Sequence, residues 1–176
     1  MVEVGGEPLI GRTTRLLKEN GVNDYIITCN NEIYAQFGQT FEPTKYDCEI
    51  DRFEDTFLEK PVCFLYGDVF YTEAAIKTIL ETSNDDILFF GSEGEMFAIK
   101  ITNYEHFKQV KALIKKLYLN GLLDRCICWE IYRYLHGIPF KEHIITGDYV
   151  KILDGTDDID FPWDYENFKE RMSKLL

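Results

Sequence analysis

Three carboxylates stand where phosphate or metal chemistry would need them. Asp68 follows the apolar run Val62-Cys63-Phe64-Leu65-Tyr66 and a glycine, while Asp158 and Asp160 come just before Pro162 at the start of a terminal helical pattern. A hard divalent cation such as Mg2+ takes oxygen ligands, and one or two protein carboxylates suffice when substrate phosphates complete its shell. Strand ends suit that role, because ligands of open α/β sheets bind in the crevice beyond the carboxyl ends of the strands. Each aspartate also has an ordinary use. Gly-Asp is common turn chemistry, and an aspartate ahead of a helix-starting proline caps the helix. Capping accounts for one aspartate but not for Asp157, Asp158 and Asp160 together. If Asp68 and Asp160 share one ion, their carboxylates must approach within about 4–6 Å. They lie 92 positions apart, so only tertiary structure can join them.

The elements that would position them are legible in outline. The run 62–66 has no polar break, the pattern of a strand buried on both faces inside a parallel sheet. Pro8 opens a helix with Leu9, Ile10, Leu16 and Leu17 on one face, stopped by Asn20-Gly21. A buried strand follows over 24–29. Residues 32–41 suit either a short strand or a helix, and 42–60 read as loop with one helical turn. Thr72 caps a helix that turns Ala75, Ile76, Ile79 and Leu80 inward. Two strands, 87–90 and 96–101, flank a turn from Gly91 to Gly94. Asn103 caps a long helix whose Lys108, Lys111 and Lys115 form a solvated face. A further helix carries Ile127, Ile131 and Leu135, and short strands are expected at 144–145 and 149–152. The helix from Pro162 should bury Tyr165, Phe168, Met172 and Leu175. Helices alternating with buried strands predict a single α/β domain, a three-layer α/β/α sandwich on a mostly parallel mixed sheet.

Composition narrows the classes. With 176 residues, 45% hydrophobic, the chain can bury one sizeable core. A net charge of -12 excludes bulk electrostatic attraction to duplex nucleic acid or anionic membrane. It leaves room for a nucleotide whose phosphates ride on a cation. The five cysteines, Cys29, Cys48, Cys63, Cys126 and Cys128, show no metal-ligand spacing and read as reduced packing residues of a cytoplasmic protein. His106, His136 and His143 lie in helix or turn contexts with no nucleophile to serve.

Three stretches together resemble the nucleotidyltransferases that make nucleotide-activated sugars, sugar acids and phosphocholine. Val4-Gly5-Gly6-Glu7-Pro8-Leu9-Ile10-Gly11-Arg12-Thr13, continued by Gly21-Val22-Asn23-Asp24-Tyr25-Ile26-Ile27, is similar to the family's first helix and next strand. Leu65-Tyr66-Gly67-Asp68 resembles its metal-binding "L-x-G-D", and Asp158-Ile159-Asp160-Phe161-Pro162-Trp163-Asp164-Tyr165-Glu166 its late metal segment. The resemblance implies a Rossmann-like, GT-A-like fold and transfer of a nucleoside monophosphate from an NTP to a phosphorylated small molecule. Asp68 and Asp160 would hold Mg2+ (or Mn2+), with Asp158 auxiliary and Arg12 toward the nucleotide. Trp129, Glu130 and Lys100 would face the acceptor, although Trp129 and Tyr132 fit core packing equally well. A homo-oligomer is compatible with this reading.

One departure matters. The family opens with a strand and a glycine-rich loop whose backbone N–H groups cradle the triphosphate. Those features do not precede the first motif here, so residues 1–176 alone are expected to turn over little. Two other readings stay open: a binding or regulatory descendant of the same fold, and a glycosyltransferase using Asp158-Ile159-Asp160 as its metal motif.

Overall fold

The computed structural model describes residues 2–173. Two short strands, β1 (Glu3–Val4) and β2 (Glu7–Pro8), form a hairpin that leads into α1 (Leu9–Glu19). Pro8 therefore stands at the cap position and not inside the helix. Next come β3 (Ile26–Thr28), a 3-10 turn over Glu32–Gln36 and β4 (Gln39–Phe41), with β3 and β4 paired in parallel. The loop region 42–60 holds two 3-10 turns, Glu49–Arg52 and Asp55–Phe57. Then follow β5 (Val62–Leu65), β6 (Val69–Phe70), α2 (Glu73–Glu81), β7 (Ile87–Gly91), β8 (Met96–Ile101), α3 (Tyr104–Leu119) and α4 (Cys128–Leu135). The chain ends with β9 (Tyr149–Lys151), β10 (Asp157–Asp158) and α5 (Pro162–Ser173). The fold is mixed α/β.

The main sheet has the order β5-β8-β7-β9. Only β7–β9 is parallel in it; β5–β8 and β7–β8 are antiparallel. The expectation of a mostly parallel sheet with residues 62–66 inside it is therefore corrected: β5 is an edge strand. Its side chains explain the misreading. Val62 and Phe64 pack against one core and Cys63 and Leu65 against another, so both faces are covered although one backbone edge is not. Hydrophobic patterning reports faces, and an edge leaves no mark in it.

The same alternation runs through β7. Ile87 and Phe89 join Phe107, Val110 and Ile114 of α3 and Ile131 and Tyr132 of α4 in the larger core. Leu88 and Phe90 join Leu16 and Leu17 of α1 and Ala75, Ile76 and Ile79 of α2 in a second one. Helix starts follow the caps read from sequence. Thr72 Oγ1 accepts from Ala75 N at 3.0 Å, and Asn103 Oδ1 from His106 N at 3.2 Å.

Two further expectations are corrected. Residues 144–145 form no strand, and Ile144 is exposed. The lysines of α3 are not simply solvated. Lys111 donates to Phe53 O and Asp55, and Lys115 to Asp51, so they tie the 3-10 turns to the helix. In α5, Phe168 is buried and Tyr165 half-buried, while Met172 and Leu175 lie outside the residues whose side chains are described. Among the described residues, no helix is long and apolar enough to cross a membrane.

Candidate functional site

Pairing of β6 with β10 brings the distant carboxylates together. Asp158 lies opposite Val69 and Asp157 opposite Phe70. The register continues one step further, where Ile159 N donates to Asp68 O at 3.0 Å. Ile159 is the anchor: it is buried with Leu9, Phe70 and Phe168 in a small third core. Alternate residues of an extended segment point to opposite sides, so Asp158 and Asp160 both turn away from that core. A polar clamp fixes the approach. Thr72 Oγ1 donates to Asp154 Oδ2 at 2.6 Å, and Thr72 N donates to Thr156 Oγ1 at 3.1 Å, pinning the segment to the start of α2.

The aspartates open onto a two-part cleft. One part, about 530 Å3, runs between Ile27, Thr28 and Cys29 of the β3 end and Phe64, Leu65 and Tyr66 of the β5 end. The other, about 420 Å3, is bounded by Asp68, Glu95, Asp158, Asp160 and Trp129. Tyr46, Glu49, Arg52, Tyr66 and Asp68 belong to both walls, so the parts form one groove. Among the described residues, β3 pairs only with β4 and β5 only with β8. Each of these strands therefore keeps one unpaired edge.

Glu95 reaches the groove because of Gly91. At the bulge ending β7, a Cβ on Gly91 would lie 2.0 Å from Glu95 O and 2.2 Å from Tyr149 Oη. Only glycine lets the 92–95 turn fold back so closely. On the opposite wall, Glu49 Oε1 accepts from Tyr66 Oη at 2.8 Å and from Cys128 N at 3.0 Å.

Burial, and then crowding of like charge, set the electrostatics. Burial, then Glu95, Asp160 and Asp68, push the Asp158 carboxyl up to about 7. Asp160 is also raised, by partial desolvation and by Asp68 and Asp164, with Arg52 pulling the other way. Glu95 is raised by desolvation and by Asp160 and Asp157. The groove therefore favours protonation or a counter-cation at neutral pH. Among the described residues, no three His, Cys, Asp or Glu side chains form a ready-made metal cluster. Among the described residues, Asp160 makes no capping bond to α5. The side-chain bond at the start of α5 is Phe161 N donating to Asp164 Oδ2 at 2.9 Å.

Of the residues singled out in the sequence, Asp68, Asp158, Asp160 and Trp129 line the groove. Arg12, Lys100 and Glu130 do not. The Arg12 guanidinium donates to Tyr71 O at 2.8 Å and lies over the Phe70 ring. Lys100 Nζ donates to the carbonyls of Ile79, Leu80 and Thr82, closing the end of α2. Glu130 is buried against Arg133 at 3.0 Å. Trp129 also meets Tyr132 edge-on and stacks on Tyr149, so it serves packing as well as the groove. Two of the three histidines have polar partners: His106 meets Asp86 at 3.0 Å, and His143 meets Glu93 O, whereas His136 Nε2 is buried without one among the described residues. Sequence reasoning missed Glu49, Arg52, Tyr66 and Glu95. A carboxylate between Gly94 and the strand from Met96 is a signal that could have found Glu95; the loop residues Glu49 and Arg52 carry none.

No family model, curated protein or solved structure matches the chain.

Proposed function

We propose that the groove is the site of a divalent-cation-dependent nucleotidyltransferase, moving a nucleoside monophosphate from an NTP to a phosphorylated small molecule with release of pyrophosphate. The observation that carries this reading is the meeting of Asp68 with Asp158 and Asp160, from segments far apart in sequence, at one groove. The motif resemblance assigns Asp68 and Asp160 to metal binding and gives Asp158 an auxiliary role. Carboxylate oxygens are the donors that Mg2+ (or Mn2+) takes, and their mutual repulsion is what such an ion relieves. When bound, the ion would be held by Asp68 and Asp160 and would offset charge on the triphosphate.

The chain's own part is positioning. Arg52 is the one cationic side chain among the described residues lining the groove, and it suits a phosphate. The acceptor phosphate attacks the α-phosphorus in line and pyrophosphate departs. Trp129 offers a flat apolar surface to the acceptor. Helices packed on both faces of the main sheet support reading the domain as the three-layer, Rossmann-like arrangement of that family.

A second reading has its own support: a groove with one cationic side chain among its described lining residues suits binding better than turnover. In it the same site would serve a nucleotide-binding regulatory protein. Isothermal titration with the four common NTPs, with Mg2+ and with EDTA, tests what both share. At least one NTP should bind with Mg2+ and not with EDTA. No binding, or binding indifferent to EDTA, would overturn the assignment. Pyrophosphate release with sugar phosphates and phosphocholine as acceptors then separates enzyme from binder.

A further inference from the structure

Cys48 and Cys126 come from distant parts of the chain, yet their sulfurs lie 2.8 Å apart. A disulfide bond is about 2.05 Å long, so closure needs a small shift of two side chains. Both are free thiols. Cys48 is half-buried and borders the groove, whereas Cys126 is buried just before α4. The backbone on each side is already held in place. Cys48 N donates to Asp51 Oδ2 at 3.3 Å, and the neighbouring Glu49 carboxylate receives Cys128 N at 3.0 Å. The two sulfurs therefore meet because the segments carrying them are docked, not through a chance approach of loose loops.

We propose that Cys48 and Cys126 form an oxidation-sensitive pair that closes to an intramolecular disulfide, covalently fastening the 3-10 turn at Glu49–Arg52 to the start of α4. The oxidant class is a small-molecule disulfide such as oxidised glutathione. The Cys48 thiolate, the more accessible, attacks one glutathione sulfur; that S–S bond breaks and one glutathione thiolate leaves with the electron pair. The Cys126 thiolate then attacks Cys48 Sγ and expels the second glutathione. Two protein thiols become one disulfide, one glutathione disulfide becomes two thiols, and both protons pass to the leaving thiolates. Burial raises both protein thiols above their usual range, while the Lys115 ammonium draws them down. Closure is accordingly slow unless oxidant persists. The product locks one wall of the groove, the wall that carries Glu49 and Arg52. This inference does not depend on what the groove binds.

The test incubates the whole chain with oxidised glutathione, traps free thiols, and maps linked peptides by mass spectrometry before and after dithiothreitol. The expected product is one linkage, Cys48 to Cys126, present in Cys128→Ser and absent in Cys48→Ser and Cys126→Ser. The melting temperature should rise on oxidation, return on reduction, and stay unmoved in the last two variants, because the bridge constrains a long stretch of unfolded chain. A linkage through Cys128, Cys29 or Cys63 would overturn the proposal. So would glutathione left on Cys48 without closure, or a Cys48–Cys126 link that leaves the melting temperature unchanged.

Discussion

At the scale of the residue, the carboxylates of the groove cost the fold stability as ions. An aspartate titrates near pH 4 in an unfolded chain, and Asp158 in the folded chain is pushed up to about 7. Between those values the folded state binds more protons than the unfolded one. Asp158 therefore destabilises progressively as pH rises through that window, and its full cost is present above it. Asp158→Asn removes the titration. Thermal melts from pH 5 to pH 8 should show the variant gaining on the parent as pH rises, with the largest lead at pH 8. A constant difference across that range would mean that burial and the neighbouring carboxylates do not hold Asp158 protonated. Glu130 makes the opposite case. It is buried and faces Arg133 at 3.0 Å, so Glu130→Ala strands a buried guanidinium. Denaturant titration should record a loss of about 3–5 kcal/mol, whereas a groove residue at that position would cost far less.

At the scale of the element, the caps at Thr72 and Asn103 and the strands around 87–101 were legible, because local side-chain chemistry decides them. The place of β5 was not. An unbroken apolar run says that both faces are covered, which is true of Val62–Leu65, and says nothing about its backbone neighbours. Residues 144–145 failed for a related reason: two adjacent isoleucines suit a strand, but no neighbouring strand pairs with them. Gly91 shows what a turn motif conceals. The sequence marks a glycine turn, and only the fold reveals that Glu95 O and Tyr149 Oη fill the space of a side chain there. Gly91→Ala should lower stability by about 1–3 kcal/mol through that overlap, read as a lower denaturation midpoint. Gly94→Ala, which meets nothing within 4 Å, should be nearly neutral. Equal effects at the two glycines would contradict the close approach.

At the scale of the whole molecule, the site depends on contacts far apart in sequence. Asp68 and the Asp158–Asp160 segment were legible as candidates because each stands at the end of an element. Their meeting was legible only as a requirement, since it depends on the β6–β10 pairing and on Ile159 packing with Leu9, Phe70 and Phe168. That Arg12 and Lys100 lie off the groove was not legible, because a basic residue's sequence neighbours do not disclose which carbonyls it caps. The central claim is that Asp68 and Asp160 act together on one divalent cation with a nucleotide. Electron paramagnetic resonance titration of Mn2+ with the best-binding NTP, on the parent chain, Asp68→Asn and Asp160→Asn, addresses it directly. One tightly held Mn2+ per chain is expected in the presence of nucleotide, with at least about tenfold weaker retention in either variant, or about 1.4 kcal/mol, and unchanged circular dichroism. Mn2+ retained equally by the parent and both variants would contradict the claim.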